Sequence, residues 1–147
     1  MSFSLVYVKF MLLLYTHGMK YSKTRQFGNI GEEIASKILI SNGYLVIERN
    51  FLRRVGEIDI IAHKENTIHF FEVKTHTISQ YDVSCETELP EHNMSSKKLK
   101  RLARAVDLYL MEKNIFDNYF ECHGISLFLD ESHNLIQYYI TKNINIV

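Results

Sequence analysis

Two short strings, Gly56-Glu57-Ile58-Asp59 and Glu72-Val73-Lys74, place ionisable side chains inside runs that otherwise read as buried strands. No other feature of the chain restricts its fold as much. The first string sits in residues 55–62 (VGEIDIIA), the second in residues 67–74 (TIHFFEVK). A carboxylate taken out of water is costly unless it is paired, hydrogen-bonded or bound to a metal. An Asp, a Glu and a Lys recur on neighbouring strands, and one shared purpose explains them more simply than three separate ones.

The polar break His63-Lys-Glu-Asn66 between the two runs predicts a hairpin. If Ala62 pairs with Thr67, Asp59 faces Phe70 and Glu57 faces Glu72. Alternation then puts Glu57, Asp59, Glu72 and Lys74 on one face, with Asp59 and Glu72 as diagonal neighbours. A two-residue change of pairing sets Asp59 directly opposite Glu72, whereas a one-residue slip separates the faces. Two close carboxylates repel unless a proton or a cation intervenes. Oxygen donors favour Mg²⁺ or Mn²⁺ over Zn²⁺. Lys74 would stand beside such an ion, where an ammonium orients water and offsets phosphate charge. This is the outline of a phosphodiester-hydrolysing site. The competing account is a structural network of ion pairs, with Glu57 partly solvated at the start of its strand.

A length of 147 residues fits one core, and 46% hydrophobic content is ordinary for a globular chain. Cys85 and Cys122 form no CxxC pair, which predicts neither a zinc framework nor a disulfide framework and fits a reducing cytoplasm. Net charge is zero, but it is unevenly spread: +5 over residues 1–54, −6 over 55–96, +5 over 97–104 and −4 over 105–147. An acidic centre between basic segments suits a metal site flanked by phosphate-binding surfaces. Residues 5–15 are apolar apart from Lys9, too short for a membrane span of about 20 residues. Residues 1–18 are expected to be an extension or a misplaced start ahead of Met19, with residues 19–147 forming a single domain and no membrane partner.

Phe27, Ile30, Ile34, Ala35, Ile38 and Leu39 recur at helical spacing over about residues 25–41, and Asn42-Gly43 ends the pattern. Glu32 falls at the edge of that apolar arc; Glu33 falls outside it, an i,i+4 partner for Lys37. Residues 44–50 read as a strand, and Arg53 and Arg54 fall in the following turn, where they are placed to meet phosphate. From Thr75 to His92 periodicity is lost and a loop is expected. Ser95 or Ser96 caps a second helix to about Asn114, with Leu99, Leu102, Ala103, Val106 and Leu110 as its apolar stripe. Lys97, Lys98, Lys100, Arg101 and Arg104 crowd its N-terminal half. Bases there oppose the helix dipole, which suggests phosphate contact over a merely solvated face. Residues 120–129 and 135–141 read as two last strands, with His123 in a structural role.

The strings Gly31-Glu-Glu-Ile-Ala35, Gly43-Tyr44, Glu48-Arg-Asn50, Gly56-Glu-Ile-Asp-Ile-Ile61 and Phe71-Glu-Val-Lys74 resemble the YraN family over about residues 24–113. That prokaryotic family is placed with the PD-(D/E)XK nuclease superfamily, alongside archaeal Holliday-junction resolvases. The resemblance implies an α/β, restriction-endonuclease-like αβββαβ core with a central mixed sheet flanked by helices. It implies metal ligation by Asp59 and Glu72, a catalytic Lys74 and a supporting Glu32. His76 stands where the family has an Arg, and the family's Arg-Phe-Asp is missing around Cys122-His123-Gly124. The expectation is a Mg²⁺- or Mn²⁺-dependent DNA endonuclease in which water attacks phosphorus in line, with branched DNA as a candidate substrate. The alternatives are a nucleic-acid-binding module that keeps the fold without cleaving, and a structural or protein-interaction domain. Homodimerisation is compatible with each.

Overall fold

The computed structural model describes residues 23–78, 94–115 and 119–146. The N-terminal extension, the greater part of the expected 75–92 loop and Cys85 lie outside them. In chain order the elements are α1 (Lys23–Ser41), β1 (Leu45–Arg53), β2 (Gly56–Lys64), β3 (Thr67–Thr77), α2 (Ser96–Glu112), β4 (Phe120–Leu129) and β5 (Leu135–Thr141). The strands form one five-stranded sheet in the order β1-β2-β3-β4-β5. Only the β3–β4 pair is parallel; the other three are antiparallel. The α/β mixed sheet flanked by helices is therefore the architecture present.

Each helix covers its own apolar cluster. Ala35 and Leu39 of α1 pack with Ile60, Ala62, Phe71, Ile125, Leu127 and Leu129. Leu102, Ala105, Val106 and Tyr109 of α2 pack with Phe51, Ile58, Ile61, Ile68, Phe70 and Cys122. The buried stripe of α2 is thus centred on Ala105 and Tyr109 rather than on Ala103, which is only half-buried. α1 ends as its sequence predicts. Gly43 takes φ 82, and the Tyr44 N–H reaches back to the Leu39 carbonyl at 3.0 Å, closing the last turn. Ser95 caps α2, its hydroxyl accepting from the Lys98 N–H.

The hairpin takes the alternative register, shifted by two residues from the Ala62–Thr67 pairing. His63 and Lys64 belong to β2, and the turn is only Glu65-Asn66, with φ 49 and 64. Two positive φ values mark the tight turn whose twist matches antiparallel strands. Ala62 consequently pairs with His69, not Thr67. β3 also runs on to Thr77, since Thr75 and Thr77 pair with Leu127 and Leu129 of β4. Among the described residues, no helix is long and apolar enough to cross a membrane.

Candidate functional site

The register of the hairpin carries Asp59 toward Glu72, but the ladder stops one step short, at Ile60↔Phe71. There the strand changes phase. Ile58 and Ile61 pack under α2 while Ile60 and Ala62 pack under α1, so strict alternation fails across Asp59. On the neighbouring strand Asn50, between the Arg49↔Ile60 and Phe51↔Ile58 pairs, takes φ 54. Such an irregularity re-aims a side chain. Asp59 Oδ2 accepts the Val73 N–H at 2.6 Å, so a carboxylate stands where the ladder would have placed a backbone carbonyl. The expected shared face of four charged residues is thereby corrected: Asp59 lies in the opening between β2 and β3 instead of on a regular face.

Glu72 is 5% exposed, and its carboxylate receives the Lys98 ammonium from α2 in a short, direct ion pair. Burial pushes the Glu72 carboxyl above the usual range despite the opposing pull of Lys98 and Lys74. Asp59 is raised further, first by burial and then by the Glu72 charge, with the Val73 N–H working against both. Glu57 is exposed at the rim, and its charge raises Glu72. Glu32 of α1 is also raised by burial, against the opposing pull of Asn50 and of Arg49, which faces it at 3.6 Å. Its Oε2 is buried without a hydrogen bond. Glu33 is exposed and bridges Lys37 at 3.0 Å, in keeping with its position on the helix. Among the described residues, four carboxyls thus lie about the opening against three cations, Arg49, Lys74 and Lys98. Two carboxylates plus water and phosphate oxygens are a sufficient set for Mg²⁺, which seldom takes an all-protein cage.

Two glycines seat the helices against this opening. A Cβ on Gly56 would lie 2.2 Å from the Arg101 carbonyl oxygen of α2. One on Gly31, beside Glu32, would lie 1.8 Å from Thr75 Oγ1, next to Lys74. Gly56 is therefore a point where the α2 backbone lies close against the sheet, a role its sequence context does not reveal.

The basic residues divide. Arg54, Lys97, Lys100, Arg101 and Arg104 line an open concavity of about 820 Å³ beside α2. Lys98 points the other way, into Glu72. Arg53 is already engaged, forking onto Glu112 at 3.0 and 2.8 Å and lying over the Phe51 ring at 4.1 Å. His76 stacks on Phe128 with ring centroids 4.9 Å apart.

A second polar cluster was not foreseen. His69 of β3 and Glu121 and His123 of β4 bring ligand atoms within 4.8 Å of one another, which makes them a possible metal-binding triad. The two imidazoles are 2.9 Å apart, Nδ1 of His69 to Nε2 of His123. Burial lowers both rings, His123 to about 4, so both are neutral near pH 7. Glu121 and His123 are two apart on one strand, a legible signal; their approach to His69 depends on the parallel β3–β4 register, which is not. Burial pushes the neighbouring Cys122 thiol up to about 12.

A family model described as uncharacterised protein family UPF0102 matches residues 31–124, which include every residue named at both clusters. A UPF0102 protein of Sulfurimonas denitrificans is 38% identical over 96 residues, covering 65% of this chain and 81% of that protein. A UPF0102 protein of Clostridium tetani is 34% identical over 122 residues, covering 74% of this chain and 95% of that protein.

Proposed function

The chain belongs to the UPF0102 family, named above by resemblance as YraN, and on that footing we propose that it is a metal-dependent DNA endonuclease, with branched DNA as a candidate substrate. The observation that carries this reading is the double use of α2. Lys98 turns in to the buried Glu72, while Lys97, Lys100, Arg101 and Arg104 line the adjoining concavity with Arg54. A carboxylate pair beside a basic concavity is what phosphodiester hydrolysis requires: charge to meet the backbone and oxygen ligands at the scissile group.

Asp59 and Glu72 are the residues that would hold Mg²⁺ or Mn²⁺, and their oxygen-only donor set fits that ion. Bound there, the ion supplies positive charge against the phosphate oxygens in an in-line displacement. Val73 N–H keeps Asp59 aimed at the opening. Lys74, two residues beyond Glu72, orients the attacking water, and Glu32 supports the site from α1. The basic residues of the concavity fix the DNA backbone without reading its sequence. A second reading, a DNA-binding module without cleavage, is favoured by one observation: Lys98 already gives Glu72 a cation.

The deciding experiment is a Mg²⁺ titration against linear, flapped and four-way DNAs. Cleavage should require the ion, and Asp59→Asn and Lys74→Met should each lower it by at least about 100-fold while folding is kept. Mg²⁺ should also raise the melting temperature of the wild type and not of Asp59→Asn, by simple mass action. Binding without cleavage of any substrate would leave the second reading in its place. An identical Mg²⁺ response in wild type and Asp59→Asn would remove the site assignment.

A further inference from the structure

We infer that His69, Glu121 and His123 form a second metal site, specific for a zinc-class ion, with the Lys142–Asn143 peptide as its built-in tautomer switch. This inference is independent of the carboxylate site and of the proposed nuclease activity. In the parallel pair His69 is level with Glu121 and Phe71 with His123, so the three side chains stand together across two strands. Tyr44 meets His69 edge-on at 5.1 Å, and Phe71 tilts against His123 at 4.9 Å. Both rings are buried, and Glu121 closes the cluster from its open side.

The distances suit a tetrahedral ion of the zinc class. His69 Nδ1 lies 2.9 Å from His123 Nε2, and Glu121 Oε2 lies 3.6 and 3.4 Å from those same two nitrogens. A tetrahedral zinc ion with bonds of about 2.0–2.2 Å spaces its ligand atoms about 3.3–3.6 Å apart. Only the imidazole pair must open, by a few tenths of an ångström. Two imidazoles and a carboxylate select zinc-class ions over Mg²⁺. The fourth position would face a concavity of about 240 Å³, lined by Tyr44, Lys64, Glu65, Thr67 and Lys142 in addition to His69 and Glu121. The carboxylates of Glu65 and Glu121 there balance the two lysines.

The protons decide how the site works. The Asn143 N–H is donated to His123 Nδ1 at 3.2 Å, so the neutral ring carries its proton on Nε2 and gives it to His69 Nδ1. With Nδ1 accepting that proton, the neutral His69 ring carries its own proton on Nε2. His69 is thus already in the tautomer that ligates through Nδ1. His123 is in the opposite tautomer. To ligate through Nε2 it must move its proton to Nδ1, where the Asn143 N–H now points.

The backbone offers the remedy. Asn143 has φ 57, in the left-handed region that non-glycine residues seldom occupy. Turning the Lys142–Asn143 peptide over by roughly 180° takes Asn143 out of that region. It also replaces the N–H facing Nδ1 with the Lys142 carbonyl, an acceptor for the relocated proton. The next peptide stays anchored, because the Ile144 N–H is held by the Cys122 carbonyl at 2.8 Å. No proton is gained or lost: one moves across the His123 ring, and the ion takes its former place between the imidazoles.

Calorimetric titration with Zn²⁺ near neutral pH tests the site, and ¹⁵N NMR of the histidine rings tests the switch. One equivalent should bind to the wild type and to Asp59→Asn alike, undisturbed by millimolar Mg²⁺. Binding should weaken at least tenfold in His69→Gln and in Glu121→Gln; the latter changes a side chain that is 44% exposed and so serves if the buried variant misfolds. The His123 proton should move from Nε2 to Nδ1 as Zn²⁺ is added. No binding, or binding untouched by Glu121→Gln, would overturn the site. Binding with the His123 tautomer unchanged would overturn the switch.

Discussion

β3 carries two polar clusters of opposite character, and the contrast explains each. Toward its C-terminal half, Glu72 meets Asp59 where the β2–β3 ladder opens, an excess of carboxylate relieved mainly by Lys98. Toward its N-terminal half, His69 meets His123 and Glu121 where the parallel ladder is unbroken, and the two rings satisfy each other as neutral partners. The first cluster is electrostatically incomplete, its carboxyl groups held above their ordinary range by burial. The second is internally hydrogen-bonded and holds no excess of buried carboxylate. An oxygen-rich opening suits a hard ion that keeps its waters; a nitrogen-rich pocket suits a softer one. Incompleteness at the first site is what makes it the better candidate for chemistry.

The largest effect expected is at the seat of α2. In Gly56→Ala the new methyl would lie 2.2 Å from the Arg101 carbonyl oxygen, a backbone atom that cannot move without the helix. Overpacking of this kind should cost about 2–3 kcal/mol in chemical denaturation. Because Arg101 and Lys98 share that helix, the Mg²⁺ response should weaken too, whereas the Zn²⁺ response at the imidazole cluster should survive. Equal loss of both responses would show that the clusters are not separable. Gly28→Ala is the control: its methyl would meet nothing within 4 Å, and added helix propensity should make it neutral or slightly stabilising.

The two clusters were also unequally legible. Glu57-Ile-Asp59 and Glu72-Val-Lys74 lie on a hairpin, so local alternation was enough to bring the acids near each other. It was not enough to set the register, because two positive-φ residues, Glu65 and Asn66, make a tighter turn than their polar neighbours suggest. The phase change at Asn50 and Asp59 was hidden for a related reason: a left-handed Asn inside a strand is imposed by what packs on either side of it. The imidazole cluster joins residues 54 apart in sequence through a parallel crossover, and no local pattern reports that pairing. The sequence groups Lys98 with the basic residues around it, because helical spacing gives its angle but not the depth of the carboxylate it reaches. The helices and the last two strands, in contrast, were read closely, since amphipathic period and alternation are both local signals.

Lys98→Met should have the next largest effect. It leaves Glu72, 5% exposed, without its main counterion. A fully buried pair would cost several kcal/mol, but the Lys98 side chain is 44% exposed, and solvent screening reduces the expected loss to about 1 kcal/mol. Added Mg²⁺ should restore more stability to this variant than it adds to the wild type, because the ion no longer competes with the ammonium. A Mg²⁺ response no larger than that of the wild type would mean that Lys98 and the ion do not share Glu72. The imidazole cluster should be indifferent to the change.

Smaller effects separate Arg53, the last residue of β1 and not in the turn as expected, from Arg54 in the β1–β2 turn. Arg54 lines the basic concavity, whereas Arg53 is held by Glu112. Arg54→Ala should flatten the salt dependence of DNA binding by about one unit of slope, and Lys97→Ala with Arg101→Ala by up to about two. Arg53→Ala should leave the slope unchanged. Equal slopes for Arg53→Ala and Arg54→Ala would move the DNA track off this concavity.

The smallest effect separates neighbours on α1. Glu33 and Lys37 form an exposed i,i+4 pair at 3.0 Å, so Glu33→Gln should alter stability by no more than about 0.5 kcal/mol and leave the Mg²⁺ response and any cleavage untouched. Glu32, one residue earlier, sits 13% exposed against Arg49 with one buried oxygen lacking a hydrogen bond. Glu32→Gln keeps the shape and removes the charge, so it should lower activity, or Mg²⁺ affinity where that is the readout, with little change in fold. The pair of variants therefore asks whether the carboxylate cluster extends across the sheet to α1 or ends at Asp59 and Glu72. Equal behaviour of the two would confine the cluster to the β2–β3 opening and leave Glu32 as a partner for Arg49 alone.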